Sequence, residues 1–185
     1  MKIILASASP RRREICELMG IEFDVIPSKS EEAVDLSLLP EQAIEKIAYA
    51  KGLEVFLEHN NQIVLSSDTA VYLGGEFFEK PKDKDDARQM LKKLSGKTHK
   101  VITAVSIFSP KKQITFSDVA LVTFDRITDS EIEDYLAENE WCDKAGAYGI
   151  QGKAARFIKN LNGDFYTVMG LPCSKTYQAL KNFDK

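Results

Sequence analysis

Short continuous apolar runs and apolar stripes at helical spacing alternate along this chain. Ile3-Ile4-Leu5 is a run typical of a buried strand, and Ser9-Pro10 follows it as a helix N-cap and first helical residue. Ile15, Leu18 and Met19 then share one helical face, and Gly20 is placed to stop that helix. Glu22 to Ile26 reads as a second strand. Pro40 opens a helix whose stripe runs through Ile44, Ile47 and Ala48 to Lys51 and Val55, which sets a lysine on the apolar face. A lysine there needs a partner.

Ile63-Val64-Leu65 predicts a buried strand, interrupted at Ser66-Ser67-Asp68-Thr69 and resumed at Ala70 to Leu73, with Gly74-Gly75 as a hairpin turn. Glu79-Lys80-Pro81 is extended, because proline disfavours helix at the residue before it. Asp83 to Leu94 is helical with Ala87, Met90, Leu91 and Leu94 inward. Val101 to Phe108 and Ile114 to Phe124 are strands joined at Ser109-Pro110. Thr128 and Glu131 form a capping box ahead of Ile132, Tyr135 and Leu136. A glycine-rich segment from Asp143 to Lys153 precedes a hairpin turn predicted at Asn162-Gly163, and Gly170-Leu171-Pro172 leads into a last helix. Strands and helices are mixed, with hairpins in the second half. The pattern predicts an α/β fold on a mixed sheet.

No repeat or flexible linker divides the 185 residues, so residues 1–185 read as a single domain whose core has room for two lobes. No apolar run approaches the roughly 20 residues that span a bilayer, and no basic-then-apolar leader opens the sequence. The expectation is a cytoplasmic protein. Cys16, Cys142 and Cys173 are odd in number and far apart, which predicts reduced, buried thiols rather than a disulfide framework or a zinc knuckle. A net charge of -3 argues against a general nucleic-acid binder. His59 and His99 are the only histidines, too few for a histidine-rich metal centre. A metal here would be a hard ion held by carboxylates.

Chemistry concentrates at a few positions. Arg11, Arg12 and Arg13 fall in the first turn of a helix, where positive charge opposes the dipole at a cost of roughly 0.3 to 1 kcal/mol each. A phosphate bound there would reverse that sign, meeting helix N–H groups, the hydroxyls of Ser7 and Ser9, and guanidinium forks. Asp68 lies between two strand runs, where aspartate is disfavoured, so it is either a turn former or a functional carboxylate: a magnesium ligand or a general base. Glu31 and Glu32 sit in an acidic loop, and one of them with Asp68 would suffice for a hard divalent ion on substrate phosphates. Lys51 and Lys80 join Arg11 and Arg12 as four cations able to converge on polyphosphate. Gly146, Gly149 and Gly152 recur every third residue, and between them Gln151 carries an amide that can pair with the N3–H and O4 of uracil or thymine.

Seven blocks resemble the Maf family of nucleoside triphosphate pyrophosphatases, in order and over nearly the whole chain. They are Leu5 to Arg12, Ser28 to Glu32, Ser67-Asp68-Thr69, Glu79-Lys80-Pro81, Leu94 to His99, Asp143 to Gly152, and Val168 to Pro172. The Gln151 block and Ile102-Thr103-Ala104-Val105 are most similar to the branch that hydrolyses dTTP and UTP. The resemblance implies a mixed twisted sheet flanked by helices, two lobes around a central cleft, similar to inosine triphosphatases, and a homodimer. It implies hydrolysis of a nucleoside triphosphate to the monophosphate and pyrophosphate with magnesium or manganese. It also implies Asp68 as proton acceptor, Arg12, Thr69 and Gln151 as specificity positions, and Ser7, Arg11, Glu32, Lys51 and Lys80 around phosphate and metal, with Glu32 and Asp68 holding the ion. Ser67 departs from the family pattern, which more often has alanine. The alternative is a nucleotide-binding regulator of cell division or septum formation that binds without turnover.

Overall fold

The first apolar run forms β1 (Lys2–Leu5), which in this computed structural model pairs in parallel with both β2 (Glu22–Val25) and β3 (Ile63–Leu73). The structure describes residues 2–30 and 33–183. Parallel strands of an α/β sheet are covered on both faces, and Ile3, Ile4 and Leu5 are accordingly all buried. Four further strands follow: β4 (Glu76–Phe78), β5 (Thr98–Phe108), β6 (Gln113–Phe124) and β7 (Ile158–Asn162). The strand order is β2-β1-β3-β5-β6-β7, with β4 pairing β3 antiparallel beyond the Gly74-Gly75 turn. This is the mixed sheet the sequence predicts, flanked by helices α1 (Pro10–Leu18), α2 (Pro40–Glu58), α3 (Lys84–Leu94), α4 (Asp129–Leu136), α5 (Phe165–Met169) and α6 (Cys173–Lys181).

Several expectations change. β3 runs through Ser66, Ser67, Asp68 and Thr69 without interruption. The polar side chains do not need a turn, because each finds a partner from another element. Ser66 Oγ donates to Ala48 O at 2.7 Å, Ser67 Oγ donates to Gly170 O at 2.9 Å, and Lys51 Nζ meets Asp68 Oδ1 at 2.6 Å. Asn162-Gly163 is not a hairpin turn. β7 pairs antiparallel with β6, so its partner lies about forty residues back, and the chain passes from Gly163 towards α5. A Cβ on Gly163 would sit 2.8 Å from Ala120 Cα, so close approach explains that glycine. Leu18, placed on the apolar stripe by spacing, is 61% exposed, and Cys142 is exposed while Cys16 is buried.

The described chain divides into two compact units. The first comprises residues 1–69, 103–118 and 170–185, and the second residues 70–102 and 119–169. Each is assembled from separated stretches of sequence, which is why no linker marks a boundary. The first packs Ile4, Ala6, Val55, Val64 and Phe108 together; the second packs Val71, Phe78, Leu91, Phe124, Tyr135 and Phe157. Gly52 lets α2 approach β3 and β5 closely, since a Cβ there would fall 2.5 Å from both Phe108 Cε2 and Ser66 Oγ. That approach brings Lys51, the adjacent residue, against β3.

Candidate active site

Lys51 and Asp68 form a buried ion pair in the first unit, 7% and 9% exposed, with Nζ to Oδ1 at 2.6 Å. Helical spacing puts Lys51 on the inner face of α2, and strand continuity puts Asp68 opposite it on β3. The lysine that needed a partner has found the aspartate that needed a reason. A buried pair of this kind repays its desolvation poorly, and replacement by well-packed apolar side chains is often neutral or stabilising. Stability alone does not account for a pair placed here.

Arg12 of α1 spreads its guanidinium over three separate segments, one of them β3 at Thr69, the residue after Asp68. Nε donates to Gly170 O at 3.0 Å, Nη1 to Ser7 Oγ at 3.0 Å, and Nη2 to Thr69 Oγ1 at 3.3 Å. The fixed fork of arginine suits this triple contact, which a lysine point charge would not reproduce. Thr69 Oγ1 also lies 3.0 Å from Thr103 Oγ1 on β5, and Ser67 shares the Gly170 carbonyl with Arg12. The serine that departs from the family pattern thus ties β3 to the segment before α6. Gly170 has φ +115, and a Cβ there would crowd Thr69 Oγ1 at 3.3 Å and Arg12 Nε at 3.5 Å.

Ser9 occupies the N-cap of α1 with extended backbone, yet its side chain makes no capping bond, contrary to expectation. Its N–H donates instead to Ser7 Oγ at 3.3 Å, so Ser7 serves as a local staple for both Ser9 and Arg12. α3 and α4 obey the dipole rule with side-chain caps and acids in their first turns, whereas α1 has no acid in its first turn. Arg11 is half-buried, and burial lowers its guanidinium from the ordinary value. An anion at this helix start would offset both costs. Arg13 is exposed, as a solvated bystander would be.

Glu54, one turn beyond Lys51 on α2, was not legible in the sequence as a site residue. Its carboxylate accepts the Ser28 hydroxyl and the backbone N–H groups of Lys29 and Ser30, at 3.0 Å and 2.9 Å to Oε2 for the two amides. The Ser28 hydroxyl, followed by these amides, holds the Glu54 carboxyl below the usual carboxylate range. The segment leading to the acidic pair is therefore fastened to the helix that carries Lys51. Glu32 itself, expected as a metal ligand, lies outside the described residues, as does Glu31. Among the described residues no cluster of three or more His, Cys, Asp or Glu side chains is arranged to hold a metal. Asp68 supplies a hard carboxylate donor, the kind that a magnesium or manganese ion takes singly when substrate phosphates provide the remaining ligands.

Lys80 and Gln151 belong to the second unit, and both are exposed. There the glycine-rich segment is held close to the end of β4, because Gly146 N–H donates to Glu79 O at 3.2 Å. Gly146 has φ +69, and a Cβ would press on Val71 at 3.0 Å, so glycine is required for both conformation and space. The glycine spacing noted in the sequence serves close packing, with Gln151 on the exposed turn that follows.

The family model described as Maf-like protein matches residues 2–183. A dTTP/UTP pyrophosphatase from Aquifex aeolicus is 47% identical over 184 residues, covering 100% of this chain and 96% of that protein. A dTTP/UTP pyrophosphatase from Bacillus velezensis is 44% identical over 183 residues, covering 99% and 97%. The Staphylococcus aureus Ham1 protein overlaps the fold in part, with TM-score 0.47, 13% identity, and coverage of 67% of this chain and 72% of that one. The chain belongs to the Maf family of Maf-like proteins.

Proposed function

We propose that this protein is a nucleotide diphosphatase that hydrolyses the α–β phosphoanhydride of dTTP and UTP, releasing the nucleoside monophosphate and pyrophosphate. The observation that carries this reading is the buried Lys51–Asp68 pair, with Arg12 held on Thr69, the next residue of β3, in a chain 47% identical to a dTTP/UTP pyrophosphatase. Water attacks the α-phosphorus, the bond to the bridging oxygen breaks, and the electron pair leaves with pyrophosphate. Asp68 orients the water and accepts its proton; Lys51 holds the Asp68 carboxylate in place and adds positive charge beside the phosphates. Arg11 and Arg12 take phosphate oxygens at the start of α1, with Ser7 fixing the approach of Arg12.

Asp68 with Glu32 would hold magnesium or manganese, whose charge neutralises the phosphates and polarises the reacting phosphoryl group. Arg12, Thr69 and Gln151 are assigned to base selection and Lys80 to phosphate. The roles of Lys80 and Gln151 rest on the motifs that carry them. The enzyme would act as a homodimer in the cytoplasm, without nucleic-acid or membrane partners; among the described residues no helix is long and apolar enough to cross a membrane.

The test is pyrophosphate release from UTP, dTTP, CTP, ATP and GTP by wild type and by Asp68→Asn. Turnover of UTP and dTTP that falls by about a thousandfold in Asp68→Asn is the expected result. Unchanged turnover in the variant removes Asp68 from the chemistry, and tight nucleotide binding without product in the wild type favours the regulator.

A further inference from the structure

In the second unit, His99 and Tyr148 are both buried, and their polar ends meet each other, with Nε2 and the phenolic oxygen 2.7 Å apart. Phe124 lies edge-on to both rings, at 5.0 Å from His99 and 4.8 Å from Tyr148 between centroids. His99 Nδ1 is buried with no hydrogen-bond partner among the described residues. A phenylalanine at 148 beside an apolar residue at 99 would fill the same space without burying polar atoms. The pair therefore adds direction rather than burial, at a cost in desolvation.

What it directs is the glycine-rich turn. Gly146 and Ala147 take successive left-handed conformations, φ +69 and +62, immediately before Tyr148, and Ala147 has no side-chain oxygen to favour that state. The buried Tyr148 follows them directly in the chain. At the far end of the turn Glu140 Oε2 accepts the Lys153 N–H at 2.7 Å, and Gly152 is packed so closely that a Cβ would fall 2.1 Å from the same oxygen. Gln151 stands exposed between these two attachments.

We propose that the His99–Tyr148 pair is a specificity-positioning device: it holds Gln151, three residues on, in the single amide orientation that matches uracil or thymine. The inference rests on the functional reading above. Uracil offers N3–H as donor and O4 as acceptor, whereas cytosine reverses both, so a rigid amide separates them and a swivelling amide does not. Tyr148 and His99 touch no substrate in this scheme and act through Gln151.

The experiment compares kcat and KM for UTP and CTP in wild type, Tyr148→Phe, Gln151→Ala and the double variant. Tyr148→Phe is expected to lower the UTP-over-CTP ratio of kcat/KM about tenfold, mainly through KM for UTP. In the Gln151→Ala background, Tyr148→Phe should lower it no further, since the pair acts only through that amide. An unchanged ratio in Tyr148→Phe, or equal losses in the two backgrounds, overturns the proposal. Should Tyr148→Phe fail to fold, Glu140→Ala loosens the other attachment at a half-buried position, and an unchanged ratio there overturns it as well. Wild-type protein that releases no pyrophosphate from UTP or dTTP overturns the functional reading itself, a result separate from any change in ratio.

Discussion

Lowering the pH from 7 to 5 protonates His99 in the unfolded chain and leaves it neutral in the native one. Burial drives this difference, pushing the imidazole from 6.5 down to about 4. Between those two values the unfolded state binds more protons, so stability rises with pH through the window and is complete above about pH 6.5. The full gap corresponds to roughly 3 kcal/mol, of which roughly 2 kcal/mol is expressed between pH 7 and 5. Carboxylates held low contribute beneath this range: Asp35 by Lys46, Glu131 by Thr128 and Glu133 by Arg88. Urea unfolding of wild type and His99→Gln at pH 7, 6 and 5 isolates the effect. Wild type should lose about 2 kcal/mol more than the variant across the series, whatever the variant's stability at pH 7. Parallel curves for the two proteins would refute the claim that native His99 stays neutral.

Two further outcomes follow from the first unit. Lys51→Met leaves the Asp68 carboxylate buried without its cation and should cost about 3 kcal/mol in denaturant unfolding, while Lys51→Met with Asp68→Leu should recover most of that stability and no turnover. Gly52→Ala places a methyl 2.5 Å from Phe108 Cε2 and Ser66 Oγ, and overpacking of about 1 to 3 kcal/mol should exceed the helix-propensity gain of about 1 kcal/mol. A lower melting temperature together with reduced kcat is expected, because α2 must move and it carries Lys51; an unchanged or raised melting temperature would contradict the packing described.

Much of this protein is legible in sequence because the signals are local. Helical spacing placed Lys51 on the buried face of α2, Thr128 and Glu131 form the expected capping box, and the Gly74-Gly75 turn joins β3 to β4. These depend on neighbours within a few residues, so a linear pattern contains them. The three arginines likewise stood out against the dipole rule, and α1 bears them with no acid in its first turn. The ordered motifs carried the family, and with it the reaction class.

Partner choice was decided only by the tertiary structure. Asp68 reads locally as a strand break, yet it stays in β3 because Lys51 from α2 satisfies its carboxylate. Asn162-Gly163 reads as a hairpin, yet β7 pairs with a strand from much earlier in the chain. Arg12 gathers Ser7, Thr69 and Gly170, the last of them 158 residues away from it, and Glu54 fastens a loop whose own sequence gives no sign of it. A buried polar group is settled by whichever donor or acceptor the strand order and helix packing bring within 3 Å, and sequence distance does not enter that condition. The sequence determined which residues needed partners, and only the fold determined which partners they received.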